Sequence, residues 1–205
     1  MKRIVKIEPY FEPRVWGGGT RLIEEFHYRT NIAPIGEAYC VVALPGHADC
    51  AVPDMNMTLS QLYTCYPEWF DCETEELPIK VNIIDPNTGK TRPIHPKEVY
   101  DNVNLPDKLI EFEDYPSSEE LGCLVTRYWD EPGLYTLIRL KVKEKGQFLH
   151  ERFAFYTCIK GEGTLNGIKV RQGDTFLVPD RMGWINIEGD LDLFLASYRN
   201  KNVEY

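Results

Sequence analysis

The sequence predicts a mainly β chain, with strands running through its second half and a β-rich region with one or two short helices in its first. Three observations carry this. Asn166-Gly167 lies between the β-rich runs Gly163-Thr164-Leu165 and Ile168-Lys169-Val170, and Asn-Gly favours the positive φ angles of a two-residue hairpin. Gly173-Asp174 breaks the chain before Thr175-Phe176-Leu177-Val178, a run that Pro179 ends because it has no N–H for a ladder. Thr136, Ile138, Leu140 and Val142 share one strand face, and Leu137, Arg139, Lys141 and Lys143 share the other.

Taken from the start, Lys2 to Ile7 alternates and reads as a first strand. In the segment from Pro9 to Gly19, Trp16 precedes three glycines that lack the spacing of a phosphate-binding fingerprint, so it reads as a Trp anchor and a flexible turn. Gly36 to Leu44 reads as a buried strand stopping at Pro45-Gly46. Thr58 and Gln61 form a capping box. Leu59, Leu62, Tyr63 and Tyr66 then follow the spacing of an amphipathic helix that ends near Pro67 or Phe70. Leu77 to Asp85 reads as a strand, Pro86 to Gly89 as a turn, and Pro96-Lys97-Glu98 as the start of a helical turn. Glu131-Pro132-Gly133 is a turn. Lys145-Gly146 leads into a strand on which Phe148, His150, Arg152, Ala154 and Tyr156 share one side, placed toward the barrel interior. Trp184 to Ile187 and Asp192 to Tyr198 are the closing strands.

The order strand, Gly-x-Gly, hairpin, Gly-Asp, strand, Pro, Gly from Phe153 to Gly183 resembles the core of a cupin jelly roll. The resemblance places the first metal motif of that family on Phe148, His150 and Ala154, and the second around Gly183 to Ile185, so that His150 alone offers a ligand atom. The first half resembles type I phosphomannose isomerase. The residues that carry this are Pro9 to Gly18, Gly36 to Tyr39, Thr58 to Phe70, Leu77 to Asp85 and Pro93 to Pro96. The resemblance implies a reduced N-terminal region over 1–112 and a cupin-like barrel over 113–205. It also implies an aldose–ketose isomerase that holds zinc through Gln-x-His-Pro, a downstream Glu and a later His. Here His95 matches the first His as the one metal candidate, but Pro93 stands where the Gln should be, and Asn82 replaces the strand Lys. The block carrying the remaining ligands is missing between Tyr100 and Pro116.

Composition narrows the classes. The 205 residues are 43% hydrophobic, enough for a globular core. A net charge of −9 argues against nucleic acid as a partner and disfavours anionic membrane surfaces, while leaving room for a small anionic ligand where basic side chains cluster. No apolar run reaches membrane-spanning length, and the N-terminus lacks the apolar core of a signal peptide. The six cysteines are scattered, form no Cys-x-x-Cys, and read as reduced, mostly buried hydrophobes of a cytoplasmic protein.

A catalytic zinc needs three protein ligands and an open position, so the expected cofactor is none, with zinc only if the family site survives around His95. The candidate substrate-binding residues are Arg139, Lys141, His150, Arg152 and Tyr156: a basic row for a sugar phosphate and an aromatic ring for a sugar face. The expected partner is a sugar or sugar phosphate, with a homodimer covering exposed strand edges. The expected function is a carbohydrate-binding or structural subunit that has lost isomerase activity. The alternatives are an isomerase with a rearranged zinc site and a metal-free cupin acting as an interaction module.

Overall fold

The computed structural model describes residues 1–18, 21–70, 114–130 and 135–198. The strand, turn and helix expected between Leu77 and Glu98 lie outside these residues, as do the turn at Glu131-Pro132-Gly133 and Cys72.

The first part runs β1 (Val5–Ile7), β2 (Tyr10–Gly18), α1 (Arg21–Phe26), β3 (Ile35–Tyr39), β4 (Ala51–Val52), β5 (Met57–Thr58) and α2 (Leu59–Cys65), followed by a tight 3-10 turn at Pro67–Phe70. The second part runs β6 (Ser117–Glu120), β7 (Cys123–Asp130), β8 (Tyr135–Val142), β9 (Lys145–Leu149), β10 (Ala154–Leu165), β11 (Ile168–Arg171), β12 (Thr175–Val178) and β13 (Trp184–Tyr198). Nine strands form one antiparallel sheet in the order β1-β12-β10-β13-β8-β7-β6, with β11 beside β10 and β9 beside β13. The sheet is rolled so that β9 meets the turn between β6 and β7, where the Gln147 N–H donates to the Leu121 carbonyl at 2.9 Å.

Local chemistry explains much of this. Leu165 pairs with Ile168, and Asn166 and Gly167 take φ of 47° and 80°, the positive values that a tight hairpin requires. The Thr58 hydroxyl accepts from the Gln61 N–H, and the Gln61 side chain accepts from the Thr58 N–H at 2.9 Å, a complete capping box ahead of α2. On β8, Thr136, Ile138, Leu140 and Val142 are buried and the alternate residues are not.

Four expectations need correction. The stretch expected as a Trp anchor and a flexible turn is part of a strand as far as Gly18: β2 runs Tyr10–Gly18, and its Tyr10, Phe11 and Glu12 pair with Tyr39, Ala38 and Glu37 of β3. The strand expected from Gly36 to Leu44 ends at Tyr39. The two closing strands are one, β13, which pairs with β9 through Trp184–Glu188 and with β8 through Leu191–Tyr198. The strand expected to carry Phe148 through Tyr156 is two: β9 stops at Leu149 and β10 starts at Ala154, so His150 and Arg152 sit in the connection rather than on a strand face.

Two apolar cores lie back to back across one wall. The barrel core contains Val125, Ile138, Leu140, Phe148, Ala154, Tyr156, Phe176, Val178, Ile185, Ile187, Leu193 and Leu195, among others. The second core packs Leu59, Leu62 and Tyr63 of α2, with Trp69 and Phe70, against Phe153, Phe155 and Leu177 on the outside of the barrel. Val5 and Ile7 of β1 join the second core, while Ile4 joins the first. Burial of this kind stabilises by roughly 25 cal/mol per Å² of apolar surface. Backbone bonds fasten the layer as well: the Asp180 N–H donates to the Trp69 carbonyl at 2.8 Å.

Candidate functional site

The cupin resemblance puts the metal motifs on the barrel interior. Phe148, Ala154 and Ile185 are buried in the barrel core and carry no donor atom. That part of the wall does not fit a zinc ion, which needs several N, O or S ligands converging. His150 is partly buried, with Nε2 shielded from solvent. His95 lies outside the described residues. Among the described residues, no group of three or more His, Cys, Asp or Glu side chains stands together as a metal cage. The thiols of Cys50, Cys123 and Cys158 are buried, and burial pushes the Cys158 thiol up to about 12, so it packs as a small hydrophobe rather than reacting as a thiolate. Cys65 is exposed and Cys40 is partly so.

The five candidate binding residues do not share one surface. Tyr156 is fully buried inside the barrel, with its hydroxyl lacking a hydrogen-bond partner among the described residues, and burial raises its pKa far above the usual phenol range. Arg139 and Lys141 project from the opposite face of the sheet, on β8. The Arg139 guanidinium grips Asp192 with two bonds, Nε to Oδ1 at 2.8 Å and Nη2 to Oδ2 at 2.6 Å, and lies 5.9 Å from the Phe194 ring centroid. Its pKa is raised chiefly by the hydrogen bond to Asp192 and further by Tyr128. This guanidinium is therefore engaged in a structural fork of the kind that Arg forms with carboxylates. Lys141 is exposed and stands opposite Asp192 in the β8–β13 register. Arg152 is partly exposed in the β9–β10 connection, and Trp184, at the start of β13, is half exposed.

A cleft of about 220 Å³ lies outside the barrel, where β1 passes the turn between β11 and β12. Three cations line it: Lys6 from β1, Arg29 from the loop after α1, and Arg171 at the end of β11. Asp174 organises two of them. Its Oδ1 takes Lys6 Nζ at 2.6 Å, its Oδ2 accepts the Arg171 backbone N–H at 3.1 Å, and Arg171 Nε stands 3.9 Å from Oδ1. The opposite wall is aromatic. Tyr28 stacks on Phe26 at 5.7 Å and tilts against Phe11 at 5.1 Å. The Tyr28 hydroxyl donates to the Gly173 carbonyl at 3.2 Å, and its pKa is raised first by burial and then by Cys40. Gly173 has φ of +90°, and a Cβ there would come within 2.8 Å of the Phe26 carbonyl, so only glycine allows this close approach.

Sequence reasoning missed this cleft. Gly173-Asp174 is legible as a chain break, but Lys6, Arg29 and Arg171 are spread over most of the chain with no common spacing. Only the pairing of β1 with β12, Val5 opposite Leu177 and Ile7 opposite Thr175, brings Lys6 beside the turn.

No family model matches the chain, and no curated protein matches it. Among solved structures, the mannose 6-phosphate isomerase from Bacillus subtilis is similar with a TM-score of 0.72 at 14% identity, over 94% of this chain and 99% of that one. Pac13, a nucleoside dehydratase from Streptomyces, is similar over 43% of this chain and 82% of its own, with a TM-score of 0.35 at 20% identity. Quercetin 2,3-dioxygenase from Acinetobacter baumannii is similar over 45% of this chain and 37% of its own, with a TM-score of 0.36 at 14% identity. The first of these bears on the fold alone: the described residues form a mainly β, cupin-type jelly-roll fold like that of the mannose 6-phosphate isomerase.

Proposed function

We propose that the protein is an isomerase-like cupin of carbohydrate metabolism that binds a sugar or sugar phosphate without interconverting aldose and ketose. The observation that supports this is the filling of the barrel. Phe148, Ala154 and Ile185 occupy the stretches aligned with the cupin metal motifs and pack into a core with Tyr156, Phe176 and Leu193. Isomerisation moves a proton between adjacent carbons through an enediol. It needs a base within hydrogen-bond reach and an electrophile that stabilises the developing oxyanion. Within the described barrel, a close-packed apolar interior supplies neither; the stretch around His95, where the resemblance puts the isomerase ligands, lies outside the described residues. Binding without turnover is the use of the fold that these residues support best.

The test is direct. The purified protein is incubated with mannose 6-phosphate and zinc, manganese or cobalt, and fructose 6-phosphate is followed. Thermal melts are run in parallel with mannose, mannose 6-phosphate and fructose 6-phosphate. We expect a ligand-dependent rise in the melting temperature and no conversion. Metal-dependent conversion that disappears in His95→Ala would overturn the reading in favour of a working isomerase. Melting curves indifferent to every sugar would instead favour a cupin acting as an interaction module.

A further inference from the structure

We propose that the cleft between β1 and the β11–β12 turn is the ligand seat of this protein, and that it recognises the phosphoryl oxyanion of a small phosphomonoester. This rests on the reading that the protein binds a ligand, and adds where the ligand sits and which group is recognised.

Charge is the first argument. The whole chain carries −9, yet this cleft gathers Lys6, Arg29 and Arg171 against two carboxylates, Asp174 and Glu8. Asp174 is not a free anion facing the ligand. It is nearly buried beneath the cations, with one oxygen on Lys6 and the other on a backbone N–H. Lys6 and Arg171 remain partly exposed above it, with 37% and 52% of their side chains accessible. Arg29 is exposed and makes no ion pair among the described residues. Glu8 is exposed and is the repulsive group that an incoming anion must outweigh.

Preorganisation is the second argument. A carboxylate that holds Lys6 by a 2.6 Å bond removes rotamer freedom that binding would otherwise have to remove. Charge-assisted bonds from Arg and Lys to a phosphoryl group are the strong class of hydrogen bond, and Arg can donate two at once. Size is the third. A cavity of about 220 Å³ falls below the ~300 Å³ at which pockets for drug-sized ligands begin. It suits a monosaccharide-sized molecule, with an apolar face for the Phe26–Tyr28 wall and a charged end for the cations.

The experiment uses the full chain, titrated calorimetrically with inorganic phosphate, mannose 6-phosphate and unphosphorylated mannose. Phosphate and mannose 6-phosphate are expected to bind and to compete, whereas mannose alone binds far more weakly. Arg171→Gln and Arg29→Gln, both at exposed positions, are each expected to weaken phosphate about tenfold, with melting temperatures unchanged. Lys6→Gln also releases Asp174, so it is read together with its own melting curve. Phosphate that does not bind, or that binds the arginine variants as well as the parent, overturns the proposal. Mannose 6-phosphate that still raises the melting temperature of Arg29→Gln/Arg171→Gln as in the parent overturns the cleft assignment while leaving the binding function standing. Mannose that binds as tightly as its phosphate overturns recognition through the oxyanion.

Discussion

Strands β8 and β12 belong to the same barrel but differ in what covers them. Along β8, buried and less buried residues alternate, because its inner face meets the core and its outer face carries Leu137, Arg139 and Lys141. Along β12, Thr175, Phe176, Leu177 and Val178 are all buried. Phe176 and Val178 point into the barrel, while Leu177 points outward into the core made with α2 and the Pro67–Phe70 turn. A strand buried on both faces reads as a continuous apolar run, and one buried on a single face alternates. The N-terminal residues are thus a second layer on the wall formed by β1, β12 and β10. The cleft opens at the margin of that layer, where Lys6, paired with Phe176 in the middle of β1, reaches Asp174. The filled barrel and the open cleft divide the work: the interior holds the fold, and the seam outside it offers charge.

The largest effects should separate the two walls. Leu177→Ala should cost about 2–5 kcal/mol of stability in urea denaturation, as deletion of a fully buried Leu does. Leu137→Ala, on the outer face of β8 and only partly buried, should cost about 1 kcal/mol or less. Equal, small losses would mean that the second core does not bind the wall as described. Next comes Thr58→Ala, which removes the cap of α2 and should cost about 1 kcal/mol, a loss confined to the outer layer. In the barrel interior the sign reverses. Tyr156→Phe deletes a buried hydroxyl that lacks a partner among the described residues, and should raise stability by about 1 kcal/mol. A loss of stability on that change would show that the hydroxyl is satisfied in solution.

The smallest effect is at the far edge of the sheet. Arg127 donates two bonds to Glu120, at 2.6 and 2.9 Å, and with Ser118 holds the Glu120 pKa down to about 2. A carboxyl with a depressed folded-state pKa contributes stability above its unfolded pKa and loses it as pH falls through the folded value. The contribution should therefore fade between about pH 5 and pH 2. Because the pair is exposed to solvent, it amounts to about 0.5 kcal/mol, and Arg127→Ala should flatten that part of the pH–stability curve.

What was legible in the residues follows the range of the interaction that carries it. The Asn166-Gly167 hairpin, the Thr58/Gln61 capping box and the alternation of β8 each depend on residues within a few positions of one another, and each is found as read. Strand β2 was not legible, since a stretch with Pro13 and two glycines becomes a strand only through β3. The outward turn of Phe153 and Phe155 depended on α2 being there to receive them. Arg139 was legible as part of a basic row, but its partner Asp192 lies on another strand, and the bidentate bond decides what the guanidinium does.

The residues by themselves determined the mainly β class, the hairpin and the capped helix, because turn chemistry, capping and the two-residue period act over a few bonds; the jelly-roll order was read from the resemblance to cupins. The folded chain decided which faces of the strands are buried, which candidate side chains are engaged elsewhere, and where three distant cations meet beside an aromatic wall. Those outcomes come from pairing segments such as β1 with β12, some 170 residues apart, and no local pattern encodes such an apposition.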